Sequence, residues 1–272
     1  MHLGSPESTQ EARVIGRNVS SPFLFCRPWK TVFLIGQSSN SKLNDLVQQE
    51  ASIYKDIVIG SFKDTFRSLY MKMVFSLKWP LDLTCQASYI LKTDEDCFVN
   101  VGNLLNWLGD YHLANGTRPL YAGRVQQYME VIRDKGSRYY VSENDHPADI
   151  FQPYVSGGGY VFSGSLLSSL AEVSQRSPLF ANEDALLGFL MYRIGVQPTD
   201  NNKFLPSIVC EIPDIDRFRE KNMCALSRQI VLHGVQDKQQ LEMHFSNFLV
   251  LNYFPSLCSL ETNYENMRDH CE

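Results

Sequence analysis

The chain has 272 residues, of which 44% are hydrophobic and 20% are charged, as is typical of a soluble globular protein. Its formal net charge of −5 argues against general binding to nucleic acids or to anionic membranes, because both need clusters of basic side chains. No stretch approaches the roughly 20 consecutive apolar residues that span a bilayer, and residues 1–22 lack the apolar segment of a signal peptide. We therefore expect this sequence to carry no membrane anchor of its own.

Strand-like and helix-like patterns alternate from residue 30 to residue 195. Short β-branched and aromatic runs predict strands at 31–36, 56–60, 89–93, 121–125 and within 154–162. Apolar residues spaced by three and four predict helices at 41–54, capped by Ser41, and at 64–78, 101–108, 165–173 and 183–194. The polar stretch 126–153 predicts a loop. This alternation is typical of an α/β fold with a largely parallel sheet.

Three consecutive acids follow the apolar run at 89–93. Asp94 and Asp96 are two residues apart, so in extended backbone they point the same way while Glu95 points away. Two carboxylates at the end of a strand suit a hard divalent ion such as Mg²⁺ or Mn²⁺. The alternative is a solvated acidic turn. The position of Asp94 and Asp96 at the end of a predicted strand favours the metal site, because ligands of α/β sheets bind at the carboxyl ends of strands.

A run of three glycines, Gly157 to Gly159, precedes the last predicted strand of this region. No Gly-Lys-Ser/Thr follows it, and no helix begins directly after it, so neither a phosphate loop nor a dinucleotide-binding turn is indicated. Two interpretations stay open. The glycines form a plain turn, or the backbone approaches a ligand where any Cβ atom would clash.

Two further positions carry chemistry that the local sequence leaves ambiguous. Asn182 is a natural N-cap, and Glu183 and Asp184 after it either stabilise the helix dipole or supply a general base. A base at a helix N-terminus would need burial to raise its pKa again. His233 ends an apolar run and is either an ordinary core or edge histidine or one imidazole ligand of a carboxylate metal site.

The seven cysteines show no zinc-type spacing and are compatible with a few disulfides or with buried thiols. Glycosylation sequons at Asn18 and Asn115 permit a secretory location.

Six segments in order resemble the β-1,3-glycosyltransferases, the family of β-1,3-galactosyl- and β-1,3-N-acetylglucosaminyltransferases (glycosyltransferase family 31). The most specific are residues 92–100, which match Lys-Thr-Asp-x-Asp-x-Phe-Val-Asn, and residues 156–163, which match Ser-Gly-Gly-Gly-Tyr-Val-x-Ser. The others are 50–62, 64–72, 183–188 and the pair formed by Cys224 and His233. Together they cover most of the chain.

The resemblance implies a nucleotide-diphospho-sugar transferase fold of the GT-A type, with a mostly parallel central sheet flanked by helices. It implies a catalytic domain at 23–245, between a polar segment at 1–22 that remains from a longer N-terminus and a tail at 246–272. The strand that opens the family's sheet would fall at or before Met1.

The implied reaction is an inverting transfer of a hexose, with galactose favoured, from a UDP-sugar to a hydroxyl of a glycan acceptor in β-1,3 linkage. UDP-N-acetylglucosamine and UDP-N-acetylgalactosamine are the alternative donors. The implied cofactor is Mn²⁺, with Mg²⁺ as the substitute. Asp96 would be its ligand, His233 a second ligand and Asp94 a further contact.

The resemblance also assigns roles to individual residues. Asp184 would be the general base that accepts the proton of the acceptor hydroxyl, with Glu183 as the substitute. The residues implied in donor binding are Asp94, Glu95, Asp96, Lys72, Gly157, Gly158 and Gly159.

The implied acceptor is a glycan on a glycoprotein or glycolipid, at the luminal side of the Golgi membrane. No nucleic-acid partner is expected, and the membrane would be reached only through an anchor absent from this sequence.

Two other functions stay open. One is a catalytically inactive, glycan-binding relative. The other is a metal-dependent phosphoester hydrolase, which is disfavoured because the sequence shows no second metal cluster.

Overall fold

The structure is a computed structural model that describes residues 29–82, 87–205 and 226–235, together with residues 242, 245 and 246. Residues 1–22 and nearly all of the tail at 246–272 lie outside the described residues, so the predicted domain limits stay predictions.

Strands and helices alternate along most of the described chain, as the sequence pattern predicts. The strands are β1 (Phe33–Gln37), β2 (Ile57–Lys63), β3 (Tyr89–Thr93), β4 (Cys97–Val99), β5 (Tyr121–Gln126), β6 (Tyr154–Ser163), β7 (Thr199–Asp200), β8 (Phe204–Leu205) and β9 (Val231–His233). The α-helices are α1 (Ser41–Tyr54), α2 (Leu69–Lys78), α3 (Val101–Asn115), α4 (Leu167–Gln175) and α5 (Glu183–Arg193). Single 3₁₀ turns precede α2 and α4 and follow α2.

The α/β class is confirmed, but the expectation of a largely parallel sheet is wrong for the central sheet. That sheet has the order β3-β6-β5-β7, and β6 runs antiparallel to both of its neighbours. Parallel pairing is found between β1 and β2, between β5 and β7, and between β8 and β9. A parallel pair needs a crossover, usually a helix, whereas β5 reaches β6 through the long segment 127–153, which contains no helix.

Strand β6 is covered on both faces, and its side chains alternate between two hydrophobic clusters. Tyr160 and Phe162 pack with Leu170, Leu186 and other side chains of α2, α4 and α5 on one face. Val161 packs on the opposite face with side chains of α3, β8 and β9. A strand that is enclosed in this way holds whatever lies beside it in a rigid frame.

The three glycines lie inside β6, so their interpretation as a plain turn is wrong. A Cβ atom on Gly159 would lie 2.7 Å from Val231 Cγ1, and one on Gly158 would lie 2.9 Å from His233 Cβ. A Cβ atom on Gly157 would overlap the Asp184 carboxylate. The clash that requires glycine is therefore with the protein's own side chains. Contact of these glycines with a donor sugar stays a prediction.

The helix limits differ from the predicted ones in ways that capping explains. Asn40, rather than Ser41, caps α1, because its side chain accepts a hydrogen bond from the amide of Lys42. Helix α3 continues past residue 108 and ends at Asn115, where Gly116 adopts a positive φ of 61°. Asn182 caps α5 as predicted.

The packing of the glycine strand predicts opposite effects of alanine at two glycines. Gly159→Ala should reduce the free energy of unfolding by about 1–3 kcal/mol, because the added methyl group meets the Val231 side chain. Gly109→Ala is the matched control on the exposed side of α3, where nothing lies within 4 Å of the added atom. Gly109→Ala should raise the free energy of unfolding by about 0.5–1 kcal/mol. Urea unfolding measures both, and equal effects of the two substitutions would contradict the packing.

Candidate active site

The acidic turn and the late histidine are brought together by one strand pair. Residues 94–96 connect β3 to β4, and β4 pairs with β9 so that Cys97 lies opposite His233. The amides of Gly234 and Val235 both donate to the Asp96 carbonyl, at 3.0 and 2.8 Å. As a result His233 Nε2 lies 3.3 Å from Asp96 Oδ1 and 3.9 Å from Asp94 Oδ2.

The strand that carries His233 is fixed by two asparagines at the start of α3. Asn100 caps this helix, since its side chain accepts from the amide of Asn103 at 3.0 Å. Both side-chain amides donate to the Ser227 carbonyl, and Asn103 also donates to the Gln229 carbonyl. Residues 227–229 lead directly into β9, so these bonds hold the histidine in register with the acidic turn.

The donor atoms beside His233 fit a divalent cation. Two adjacent ligands at about 2.1 Å from an octahedral ion stand roughly 3 Å apart, close to the 3.3 Å between His233 Nε2 and Asp96 Oδ1. The hydrogen bond from His233 lowers the pKa of Asp96, which keeps this carboxylate ionised. Asp96, Cys97 and His233 form the group of potential metal-binding side chains found in the described part of the chain.

Cys97 belongs to this group by position only. Its Sγ atom donates to the Gly158 carbonyl oxygen at 2.7 Å. Burial raises the pKa of its thiol, and the carboxylates of Asp94 and Asp96 raise it further. A protonated thiol is a poor metal ligand, since it is the thiolate that binds. The carboxylate and imidazole are therefore the donors that suit Mn²⁺ or Mg²⁺.

Lys92 connects the acidic turn to the glycine strand, and the sequence reasoning gave it no role. Its Nζ atom donates to Asp94 Oδ1 at 2.8 Å and to the Gly157 carbonyl at 2.7 Å. Burial lowers the pKa of Lys92, but the carboxylates of Asp94 and Asp184 outweigh it, so the pKa is raised overall. The alternation along β3 is the signal that could have found it, because Lys92 and Asp94 lie two residues apart on one face.

Asp184 lies across Gly157 from this lysine, in the first turn of α5. Burial raises the pKa of Asp184 to about 7; Lys92 opposes the rise, whereas Glu183 and Asp94 add to it. Burial likewise raises the pKa of Glu183. A helix N-terminus by itself lowers the pKa of an acid, and at this site the effect of burial is larger.

One oxygen of Asp184 has no partner in the part of the chain that the structure describes. Among the described residues, Asp184 Oδ1 is buried and makes no hydrogen bond, whereas the carboxylate as a whole receives the amide of Gly157. A buried acceptor without a donor is unfavourable and rare in folded proteins. This oxygen therefore retains the capacity to accept a hydrogen bond from a hydroxyl group that is not part of the protein.

Lys72 lies apart from this group. Its Nζ atom pairs with Asp64 Oδ2 at 2.8 Å, and the same oxygen accepts from the amide of Gly36 at 2.8 Å. Its charge still reaches the acidic turn, where partial loss of hydration raises the pKa of Glu95 and Lys72 opposes the rise. Glu95 is exposed, as expected for the residue that points away from Asp94 and Asp96.

The structure thus gathers most of the predicted site residues around β6 and the β3–β4 turn. Those gathered are Asp94, Asp96, Gly157, Gly158, Glu183, Asp184 and His233, with Gly159 beside them in β6.

A sequence model of the galactosyltransferase family matches residues 22–202, which is more than half of the chain. The chain belongs to the galactosyltransferase family. This confirms the family resemblance seen in the motifs.

Individual relatives of this galactosyltransferase-family chain agree with the assignment. It is 32% identical over 177 residues to beta-1,3-galactosyltransferase 1 of Homo sapiens, covering 64% of this chain and 53% of that protein. It is 31% identical to beta-1,3-galactosyltransferase 5 of Mus musculus, covering 63% and 54%. It is 27% identical to the N-acetyllactosaminide beta-1,3-N-acetylglucosaminyltransferase 2 of Mus musculus, covering 78% and 52%. The chain therefore spans about half the length of the curated relatives it matches.

The structural comparison adds little to the sequence comparison. A solved glycosyltransferase involved in glycosylation of the major capsid of PBCV-1 matches with a TM-score of 0.35 and 12% identity, covering 78% of this chain and 99% of that one. This similarity is too weak to bear on fold or function. Within the described residues, none of the helices is long and apolar enough to cross a membrane.

The raised pKa of Asp184 predicts that removing its charge stabilises the fold. The pKa of an exposed aspartate is about 3.8, and burial raises the pKa of Asp184 in the folded chain to about 7. Between these values the folded chain holds a proton that the unfolded chain has lost, so stability falls as the pH rises through this window. Asp184→Asn should raise the free energy of unfolding at pH 8 by about 1–2 kcal/mol, with little effect near pH 4.

Thermal unfolding at several pH values measures this difference. Asp110→Asn, at an exposed position on α3, is the control and should leave the pH dependence unchanged. A destabilised Asp184→Asn variant at pH 8 would contradict the assignment of a strained, buried carboxylate.

Proposed function

We propose that this chain contains the active site of an inverting glycosyltransferase. It would move a hexose from a UDP-sugar to a hydroxyl of a glycan acceptor in β-1,3 linkage. The observation that carries the proposal is the buried oxygen of Asp184 that has no partner among the described residues, in a site that Lys92 and β6 connect to a carboxylate–imidazole pair suited to a divalent ion. Membership of the galactosyltransferase family supports it.

The donor would bind at the β3–β4 turn. Asp96 and His233 would hold Mn²⁺, or Mg²⁺ in its place, with Asp94 beside them. When bound, the ion supplies positive charge that offsets the charge developing on the UDP leaving group. Glu95, Lys72 and the backbone of Gly157–Gly159 are the further donor contacts in this proposal.

Asp184 would act as the general base. Its Oδ1 atom would accept the proton of the acceptor hydroxyl. At the same time the hydroxyl oxygen would bond to the anomeric carbon of the donor sugar, and the bond from this carbon to UDP would break. One carboxylate suffices, since a single displacement inverts the anomeric configuration and needs no protein nucleophile. Glu183 is its substitute.

Lys92 would organise both halves of the site. Its bonds to Asp94 and to the Gly157 carbonyl set the spacing between the donor side and the base. Its charge also keeps the pKa of Asp184 from rising further, so that about half of the base is ionised at neutral pH.

Galactose is the proposed sugar, because two of the relatives are named as beta-1,3-galactosyltransferases. UDP-N-acetylglucosamine is the second candidate, because another relative is named as an N-acetylglucosaminyltransferase. UDP-N-acetylgalactosamine is the third donor to screen. The acceptor would be a glycan of a glycoprotein or glycolipid, and the site of action the lumen of the Golgi.

The first prediction of this proposal concerns binding. UDP with Mn²⁺ should raise the unfolding temperature of the chain, with a stabilisation of about 2.7 kcal/mol when UDP is at 100 times its Kd. Asp96→Ala and His233→Ala should each remove most of this shift, because each removes a metal ligand. Differential scanning fluorimetry measures it.

Asp110→Asn serves as the control and should keep the full shift. A wild-type chain that UDP and Mn²⁺ do not stabilise would instead be the catalytically inactive, glycan-binding relative. An undiminished shift in Asp96→Ala would exclude the proposed metal ligand.

The second prediction concerns the base. Asp184→Asn should lower kcat for UDP release from UDP-galactose by about 10²–10⁴-fold, while stabilisation by UDP and Mn²⁺ persists. In the wild type the rate should fall as the pH drops below about 7, because Asp184 becomes protonated. Lys92→Met should move this fall in rate to higher pH, because the cation that lowers the pKa of Asp184 is lost.

The pH dependence of Asp184 reflects the groups that face it: Lys92, Asp94, Glu183, Tyr121, Tyr154 and Tyr160. If the rate falls at the same pH in Lys92→Met and in the wild type, a group other than Asp184 causes the fall. UDP release that does not depend on added acceptor would point to hydrolysis rather than transfer.

A further inference from the structure

The segment between β5 and β6, residues 127–153, is held in a defined shape. Arg133 donates to the Val141 carbonyl at 3.0 Å and to the His146 and Ala148 carbonyls at 2.7 and 2.9 Å. Backbone bonds also join its two ends, from the amide of Val131 to Asp149 and from that of Phe151 to Met129. A long loop fixed in this way is typical of a binding element rather than of a simple connection.

This segment presents a cluster that we call the aromatic platform, formed by Phe66, Arg138 and Tyr139. The rings of Phe66 and Tyr139 are 5.3 Å apart and nearly perpendicular. The Arg138 guanidinium carbon lies 4.8 Å from the centroid of each ring, and Arg138 Nη2 donates to the Tyr139 hydroxyl at 2.8 Å. Tyr139 remains 39% exposed. Two rings and a guanidinium group are thus fixed against each other at the surface.

The segment that carries the platform leads into β6 at Tyr154, next to the helix of the proposed base. Tyr154, at the start of β6, hydrogen-bonds to the side chain of Asn182, the cap of α5. Burial raises the pKa of Tyr154 to about 12, and both Asp184 and Tyr139 contribute to the rise. The start of β6 packs directly on α5, because a Cβ atom on Gly188 would lie 2.3 Å from Tyr154 Cβ. The segment that carries the platform therefore ends beside the helix that carries the proposed base.

The chemistry of the platform suits a sugar ring. A pyranose presents a face of C–H groups, which packs on aromatic rings, and a rim of hydroxyls, which accept hydrogen bonds from a guanidinium or a phenol. Ligand sites commonly combine an apolar wall with a few fixed polar groups in this way. The metal-binding pair at the β3–β4 turn would serve the donor, which leaves the side of the base for the acceptor.

We infer that the aromatic platform binds a pyranose ring of the acceptor glycan, next to the sugar whose hydroxyl is deprotonated. This inference rests on the proposed function and adds to it a site that determines which acceptors are used. Phe66 and Tyr139 would hold the ring, and Arg138 would contact its hydroxyls.

Direct binding tests the platform without requiring turnover. The probes are methyl β-D-galactopyranoside and methyl β-D-N-acetylglucosaminide, observed by saturation-transfer difference NMR on the wild-type chain. Tyr139→Ala and Phe66→Ala should each weaken binding of the better probe by roughly tenfold. Tyr139→Phe keeps the ring and should retain most of the affinity.

Tyr192→Ala is the matched control, because Tyr192 is an exposed tyrosine at the opposite end of α5 from Asp184. It should leave sugar binding unchanged. Unfolding temperatures and the shift caused by UDP and Mn²⁺ should match wild type in all four variants, which separates a local loss of contact from misfolding.

The possible outcomes are distinct. Equal sugar binding by Tyr139→Ala, Phe66→Ala and Tyr192→Ala would overturn the inference, as would a wild-type chain that binds neither probe. A reduced UDP–Mn²⁺ shift in the platform variants would assign the platform to the donor and also overturn it. Loss of sugar binding in these variants, in a chain that UDP and Mn²⁺ do not stabilise, would support the platform while refuting the transferase.

Discussion

The ammonium group of Lys92 is the cation around which the carboxylates of the site are arranged. Asp94, Glu183 and Asp184 all act on its pKa, and it is bonded directly to Asp94. Buried carboxylates repel one another and lose hydration, so a cluster of this kind needs a counterion within the fold. Lys92 fills this role from the middle of the site and joins it to the backbone of β6.

The glycines of β6 are the steric counterpart of that electrostatic arrangement. They allow the first turn of α5 to approach one part of the strand and β9 to approach another. A side chain at any of the three positions would push away Asp184, His233 or Val231. Because β6 is enclosed by packed side chains on both faces, the positions of Asp184 and His233 depend on the same rigid strand. The two halves of the proposed site are therefore coupled through backbone.

Local features of this fold could be predicted from the sequence because they depend on neighbours in the chain. The capping of α5 by Asn182 and the alternation of Asp94, Glu95 and Asp96 are of this kind. The antiparallel direction of β6 could not be predicted, since it depends on how the long segment 127–153 returns to the sheet. Local spacing places Lys92 on the same face as Asp94, but its other partners come from β6 and α5, which only the fold brings to it. The local sequence left two interpretations of His233 open, because its neighbour Asp96 is brought to it only by the pairing of β4 with β9.

The pairing of β4 with β9 also sets the order in which the site can be completed during synthesis. Ribosomes release the chain from its N-terminus, so Lys92, the acidic turn, the glycine strand and Asp184 all emerge before β9. Asp184 and Lys92 can associate while the edge of β4 still lacks its partner. His233 then adds the imidazole last, when β9 docks. In a nascent chain, the pair formed by Lys92 and Asp184 therefore precedes the pair formed by Asp96 and His233.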